Sequence, residues 1–217
     1  SICESNDVGL KSSPPVVYIG VVQPITGIFS PEADQFLKGL AMALRDNRKV
    51  QDNIKLVLKD SQGSPIHTVE SAKQLTRMEP LSLMIGELES GNSAITAGFA
   101  STTDLPLIIP IATDVGLAGM GERIFQANQD LETRGRALAE YAYKNLNFRT
   151  FAALAPADDY GHSITDAFLK HIDELGGQVI SQQWYYPGTE DFKRHLQTSR
   201  RAAFRTALRD SIRAINM

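Results

Sequence analysis

Cysteine is almost absent from this sequence, since Cys3 is the only one among 217 residues. A single cysteine excludes an internal disulfide and a cysteine-based metal site, but it does not decide between the cytosol and the bacterial periplasm. Cys3 lies in a polar segment, residues 1–15, that ends in Ser-Ser-Pro-Pro and is predicted to be a flexible tether. It is interpreted either as a free thiol or as a lipid-acceptor cysteine. No leader segment is visible at Ser1, and we expect one to have been removed.

The sequence also lacks a strong charge bias and long apolar runs. Its net charge is −3, so we expect no nucleic-acid partner. Apolar runs such as residues 105–112 are too short, and too interrupted by proline, for stable membrane insertion. Hydrophobic residues make up 42% of the chain, which is enough for the core of one large domain or two small ones.

Enzyme motifs are missing as well. The sequence has no glycine-rich dinucleotide or phosphate loop, no nucleophile elbow and no His-Glu-x-x-His pair. The four histidines are scattered without ligand spacing. We therefore expect a protein that is not an enzyme and that needs no cofactor and no metal.

What the sequence does contain is a regular alternation of apolar strand-like runs with amphipathic helical patterns. This alternation predicts an α/β fold in which parallel sheets are covered by helices on both faces. The rhythm restarts near residue 128, which predicts a first α/β lobe over 16–128 and a partial second lobe over 129–217. The predicted strands are 16–22, 54–58, 81–85, 105–109, 150–154 and 178–185, and the predicted helices begin near residues 30, 67, 92, 131 and 163.

The last segment departs from this alternation. From Asp191 to the end, apolar residues keep helical spacing on one side and arginines occupy the other. A basic amphipathic helix can bind a membrane or nucleic acid. The interpretation we favour is a helix whose apolar side packs on the sheet and whose arginines are solvated.

Polar residues cluster in two loops that follow predicted strands of the first lobe. Residues 86–93 contain Ser90 before a helix, and residues 110–114 contain Thr113 after the next strand. The carboxyl ends of parallel strands are where ligands bind in open α/β sheets, and a helix N-terminus favours an anion. These loops could hold a small carboxylate, although Ser90 taken alone is more typical of a plain helix cap.

Seven stretches, in order along the chain, match one known family: 19–27, 56–61, 85–93, 106–113, 135–139, 159–161 and 188–192. Together they resemble the branched-chain amino-acid (leucine/isoleucine/valine) binding proteins, the type I periplasmic solute receptors of ABC transporters. The resemblance implies two Rossmann-like lobes, of which the second is incomplete here, that close on an amino acid or similar small carboxylate. It also implies a periplasmic or cell-surface location and an ABC permease as partner.

The resemblance further implies roles for individual residues. Ser90 and Thr113 would donate hydroxyls to the ligand carboxylate, and the Ile111 carbonyl would accept from its ammonium. Tyr160 would face the cleft from the second lobe. The full set of ligand-binding residues that it implies is Glu32, Ser90, Gly91, Asn92, Ile111, Ala112, Thr113 and Tyr160.

Two departures from the family pattern leave alternatives open. Ile109 and Ile111 stand where small residues are usual, and Glu87 and Glu89 add negative charge that would favour a cationic group on the ligand. The first hypothesis is a receptor that delivers its solute by lobe closure. The second is a ligand-free interaction domain on the same fold. The third is a flavodoxin-like enzyme or phospho-acceptor that uses Asp60 and Asp159.

Overall fold

The computed structural model describes residues 15–216, except for the side chain of Val50. Cys3 and nearly all of the predicted tether lie outside the described residues. The chain forms two compact units. The first runs to residue 112 and includes 116–128, and the second comprises 113–115 and the chain from residue 129 onward.

The first unit is a parallel sheet with its connecting helices. The elements are β1 (Val17–Gln23), α1 (Ser30–Asp46), α2 (Arg48–Gln51), β2 (Ile54–Asp60), α3 (Pro65–Thr76), β3 (Leu81–Gly86), α4 (Ser90–Ser101), β4 (Leu107–Ile109), a 3-10 turn (Leu117–Met120) and β5 (Ile124–Gln126). The strand order is β2-β1-β3-β4-β5, and every neighbouring pair is parallel.

The core of this unit consists of side chains from the central strands and from the helices packed on them. Leu75 of α3 and Met84 of β3 are fully buried, together with Leu107 and Ile109 of β4. Burying one such side chain stabilises the fold by about 1.5–3 kcal/mol. The continuous apolar runs that predicted buried strands therefore correspond to the centre of the sheet.

Among the residues described, the second unit contains a parallel sheet of two strands, Thr150–Pro156 and Gln178–Tyr185. The aspartates that precede its first two helices cap them: Asp130 accepts from the Thr133 amide at 2.6 Å and Asp158 accepts from the Gly161 amide at 2.7 Å. The elements are α5 (Leu131–Glu140), which continues as a π-helical turn (Tyr141–Asn145), β6 (Thr150–Pro156), α6 (Asp159–Glu174), β7 (Gln178–Tyr185) and α7 (Lys193–Ile215).

The predicted α/β class with parallel sheets is confirmed, but two details of the sequence prediction are wrong. Strand β5 was not predicted, because it has only three residues and follows the charged pair Glu122-Arg123. The apolar side of α7 was expected to pack on the sheet, yet Phe204 and Leu208 are each 64% exposed. A helix of 23 residues is roughly 35 Å long and extends beyond an eight-residue strand of roughly 26 Å, so only part of α7 can rest on β7.

Candidate functional site

The loops singled out in the sequence lie at one edge of the first-unit sheet. Strands β1, β3 and β4 are parallel neighbours, with Val22 beside Gly86 and Ile85 beside Ile108. The segments that follow them therefore start from the same, carboxyl edge of the sheet. The segment after β1 leads from this edge into α1, and Glu32 lies exposed in the first turn of that helix.

The loop between β3 and α4 is short and ends directly in a helix. Ser90 is the first residue of α4, and Gly91 and Asn92 follow in its first turn. The first backbone hydrogen bond of the helix runs from the Ser93 amide to the Glu89 carbonyl at 2.8 Å. The amides before it lie at the positive end of the helix dipole, where an anion is favoured by roughly 0.3–1 kcal/mol.

Two buried side chains fix this loop. The Asn92 amide donates to the Glu89 carboxylate at 3.1 Å, and the Ser93 hydroxyl donates to the Glu87 carbonyl at 3.3 Å. Asn92 is thus held inside the loop and orients it. Its predicted contact with a ligand stays a prediction, as does that of Ser90.

Glu87 is a carboxyl group fully buried under the loop. Glu87 directly follows the last residue of β3. Gln23 is the last residue of the neighbouring strand β1, and it is also fully buried. One Glu87 oxygen accepts from the Leu88 amide at 3.0 Å. Burial raises the pKa of Glu87, against opposing hydrogen bonds from Ser61 and Leu88, and the carboxylates of Glu89 and Asp60 raise it further.

Asp60, at the end of β2, behaves in the opposite way. It accepts from the Thr26 hydroxyl at 2.7 Å, from the Thr26 amide at 3.2 Å and from the Gln62 amide at 2.9 Å. Partial burial favours its neutral form, but these hydrogen bonds prevail and lower the pKa of Asp60. Asp60 therefore ties the β1–α1 loop to the β2–α3 loop, a structural role rather than that of a free acid.

The loop after β4 is held by two residues that the sequence analysis missed. The side-chain amide of Gln126 donates to the Ala112 carbonyl at 2.9 Å, and that of Asn128 donates to the Ile111 carbonyl at 2.6 Å. Gln126 is the last residue of β5, and Asn128 lies two residues after it. Both were missed because β5 was not predicted. The Ile111 carbonyl, proposed to accept from a ligand ammonium, thus already accepts one hydrogen bond and has a second lone pair.

The two unusual isoleucines of this loop differ in their environment. Ile109 is fully buried in the core, so its side chain does not reach an open surface. Ile111 is 41% exposed and presents an apolar group at the loop.

The second unit has a pocket of about 400 Å³ that contains Thr113. The Thr113 carbonyl accepts from the Leu131 amide at 3.1 Å, which joins this segment to the start of α5. Tyr160, half exposed, lies next to the pocket residue Asp159 in the first turn of α6. The residues lining the pocket are Thr113, Asp114, Val115, Leu131, Asp159, His162 and Ser163.

Gly161 fixes the start of α6 beside this pocket. A Cβ atom on Gly161 would lie 2.1 Å from the Pro156 carbonyl oxygen, so the chain passes closer to β6 than any other residue type allows. Together with the Asp158 cap, this close approach sets the position from which Tyr160 and Asp159 project. Asp158 thus serves as a helix cap.

The structure thus brings together Ser90, Gly91, Asn92, Ile111, Ala112 and Glu32 at one sheet edge of the first unit, and Thr113 and Tyr160 in the second unit. Over residues 15–216, no group of three His, Cys, Asp or Glu side chains is arranged to hold a metal ion. Within that same range, no helix is long and apolar enough to cross a membrane.

Comparison with known proteins assigns the family. The sequence model of the periplasmic binding protein family matches residues 16–206. A curated relative, Leu/Ile/Val-binding protein homolog 3 of Brucella melitensis, is 26% identical over 181 residues, which cover 81% of this chain and 49% of the relative. The chain therefore spans about half the length of the curated relatives it matches.

Solved structures agree with this assignment. A leucine-binding protein, LivK, of Thermotoga maritima is 25% identical, with a TM-score of 0.64, over 87% of this chain and 54% of that protein. The structure of a putative branched-chain amino acid ABC transporter from Rhodospirillum rubrum is 18% identical, with a TM-score of 0.77, over 87% of this chain and 55% of that chain. The predicted type I fold is confirmed, and relatives of this fold are solute-binding proteins. The chain belongs to the periplasmic binding protein family.

Proposed function

We propose that this protein is a non-catalytic receptor that binds an amino acid or a similar small carboxylate outside the cytoplasm. The observation that carries the proposal is the juxtaposition of the β3–α4 loop and the β4 loop at one sheet edge. Neutral donors and a helix N-terminus at that edge suit a carboxylate. No arginine or lysine is needed for such a site.

The two sides of the ligand would be held by different groups. The amides of Gly91 and Asn92, with the hydroxyls of Ser90 and Thr113, would hold the carboxylate. The Ile111 carbonyl would accept from the ammonium. Tyr160 and Glu32 would contact the rest of the solute, and closure of the two lobes around it would favour the bound state.

The relatives support the solute class and the cellular role. LivJ of Streptococcus pneumoniae is described in complex with isoleucine, and a substrate-binding protein of Desulfitobacterium hafniense in complex with leucine. By this likeness the protein would deliver its solute to an ABC permease or a sensor from the periplasm or the cell surface. The residues of the two loops are donors and acceptors without a nucleophile and base pair, which supports a receptor over an enzyme.

A second candidate, a ligand-free interaction domain, is favoured by one observation. Ile111 exposes a large apolar side chain at the loop where the solute would bind. If Ile111 fills the site, the same fold would serve contact with another protein.

Thermal unfolding with a panel of amino acids and small carboxylates tests the proposal. A solute at a hundred times its dissociation constant stabilises the fold by about 2.7 kcal/mol. We expect one solute class to raise the Tm and Thr113→Ala to abolish the rise. Thr102→Ala, which removes an exposed hydroxyl bonded to the Phe99 carbonyl at the end of α4, is the matched control and keeps it. No rise with any solute would favour the interaction domain, and Ile111→Gly would then be tested in the same panel.

A further inference from the structure

Helix α7 carries a stripe of apolar side chains that face away from the rest of the second unit. Phe204 and Leu208 are each 64% exposed, Ile212 is 50% exposed and Ile215 is 82% exposed. Their spacing of four, four and three residues places them on one side of the helix. Four large apolar side chains in line are more than the scattered exposure usual on a protein surface.

The side of α7 that meets the sheet is polar instead. Ser199 exchanges a hydrogen bond with Ser181 of β7, their hydroxyl oxygens lying 3.0 Å apart, and His195 lies 3.1 Å from the Trp184 carbonyl. Thr206 is the buried residue of this helix. The helix therefore docks on β7 through small polar groups and leaves its apolar side to another partner.

The same exposed surface is strongly basic. Arg201, Arg205 and Arg209 follow one another along the face next to the apolar stripe, and all three are exposed. Arg200 lies over the Phe204 ring at 5.5 Å. Seven basic residues and one aspartate give Lys193–Ile215 a net charge of +6. Since the whole chain has a net charge of −3, the remaining residues together carry −9.

We propose that α7 is a peripheral membrane-docking helix that lies on an anionic phospholipid surface. The apolar stripe would enter the boundary between headgroups and acyl chains, and the arginines beside it would bind lipid phosphates, often in bidentate fashion. The acidic remainder of the chain is repelled by the same surface, which orients the molecule with α7 toward the lipid.

A lipid surface fits these features better than the alternatives. Nucleic acid would pair with the arginines but would leave four apolar side chains in water. Binding would be reversible and interfacial, because the helix does not have the continuous apolar length of a membrane span.

Co-sedimentation of the whole chain with lipid vesicles tests this proposal. We expect binding to vesicles of phosphatidylcholine mixed with phosphatidylglycerol, little binding to pure phosphatidylcholine, and loss of binding in high salt. Replacing Arg205 and Arg209 by glutamine together should weaken partitioning about thirtyfold, since each arginine near an anionic surface contributes about 1 kcal/mol. The matched control removes two exposed arginines of the first unit, Arg45→Gln with Arg48→Gln, and should leave partitioning unchanged.

The apolar stripe is tested separately from the charge. Phe204→Ser with Leu208→Ser should abolish vesicle binding while circular dichroism shows that the fold is retained, because both side chains are exposed. Met42→Ser with Ile66→Ser, two exposed apolar residues of the first unit, is the control and should bind as the parent does.

Three results would overturn the proposal. The first is a parent chain that does not sediment with anionic vesicles, and the second is binding that survives both pairs of α7 substitutions. The third is self-association of the parent chain in light scattering, without vesicles, that Phe204→Ser with Leu208→Ser removes. That result would assign the stripe to a second copy of this chain.

Discussion

Glu87 is a residue whose chemistry is altered by its surroundings. It is fully buried next to the equally buried Gln23, and burial raises its pKa above the ordinary value of 4.5. The carboxylates that face it, Glu89 and Asp60, oppose its ionisation as well. Ionised Glu87 is thus a cost to the folded state that neutral Glu87 avoids.

The sign of this effect gives a pH-dependence. With a raised pKa in the folded state, the stability linked to neutral Glu87 is fully present below the ordinary pKa and is lost as the pH rises through the folded value. We therefore expect Glu87→Gln, which keeps the size and removes the charge, to stabilise the fold relative to the parent at about pH 7 and much less at about pH 4. Urea unfolding at the two pH values measures the difference.

Glu70→Gln is the control for Glu87→Gln. Glu70 is an exposed residue of α3, so its replacement should shift stability by no more than about 0.5 kcal/mol at either pH. A Glu87→Gln protein that is less stable than the parent at neutral pH would contradict the account, because it would mean that the ionised carboxylate stabilises the loop.

At this scale the sequence revealed residue types but not their partners. Ser90 and Thr113 were singled out because they lie in loops that follow predicted strands. Gln126 and Asn128, which bind the carbonyls of the same loop, were not, since their contacts depend on how β5 pairs with β4. Long-range side-chain contacts of this kind leave no periodic pattern in a sequence.

Among the elements, the pair α5 and α6 shows how one small residue sets a packing distance. A Cβ atom on Gly135 would lie 2.6 Å from the Ile164 carbonyl oxygen and 2.8 Å from the Ala167 Cβ. The two helices are therefore closer at this point than any side chain allows.

Replacing Gly135 tests that close approach. We expect Gly135→Ala to destabilise the protein by about 1–3 kcal/mol, because the added methyl group forces α5 and α6 apart. Gly39→Ala in α1 is the matched control: nothing lies near its Cβ position, and alanine is a better helix former by about 1 kcal/mol. Equal effects of the two substitutions in chemical denaturation would show that the helices are not in tight contact at Gly135.

Elements with a clear period were predicted from the sequence, and elements defined by their neighbours were not. Strand β7 was predicted as 178–185 and is observed as Gln178–Tyr185. For α7 the helical spacing was read correctly but its orientation was not, because a hydrophobic period shows which residues share a face and not which face the sheet covers.

At the scale of the whole molecule, the positive charge is distributed unevenly along the chain. The chain combines two compact α/β units with one helix that concentrates the positive charge, and its net charge of −3 conceals this separation. Membership of the periplasmic binding protein family rests on residues 16–206, which include the start of α7 but not its last turns. Division of the chain at residue 128 and the set of ligand-binding residues stay predictions.

The most direct measurement of the central claim is a fluorescence titration of Trp184, the single tryptophan of the chain. The His162 ring lies against Trp184, with centroids 4.0 Å apart and ring planes inclined at 35°, and His162 lines the pocket that contains Thr113. We predict that an amino acid or small carboxylate changes the Trp184 emission in a saturable way and that Thr113→Ala removes the change. Emission that stays constant with every solute of the panel, or a change that Thr113→Ala leaves intact, would contradict a solute site at these loops.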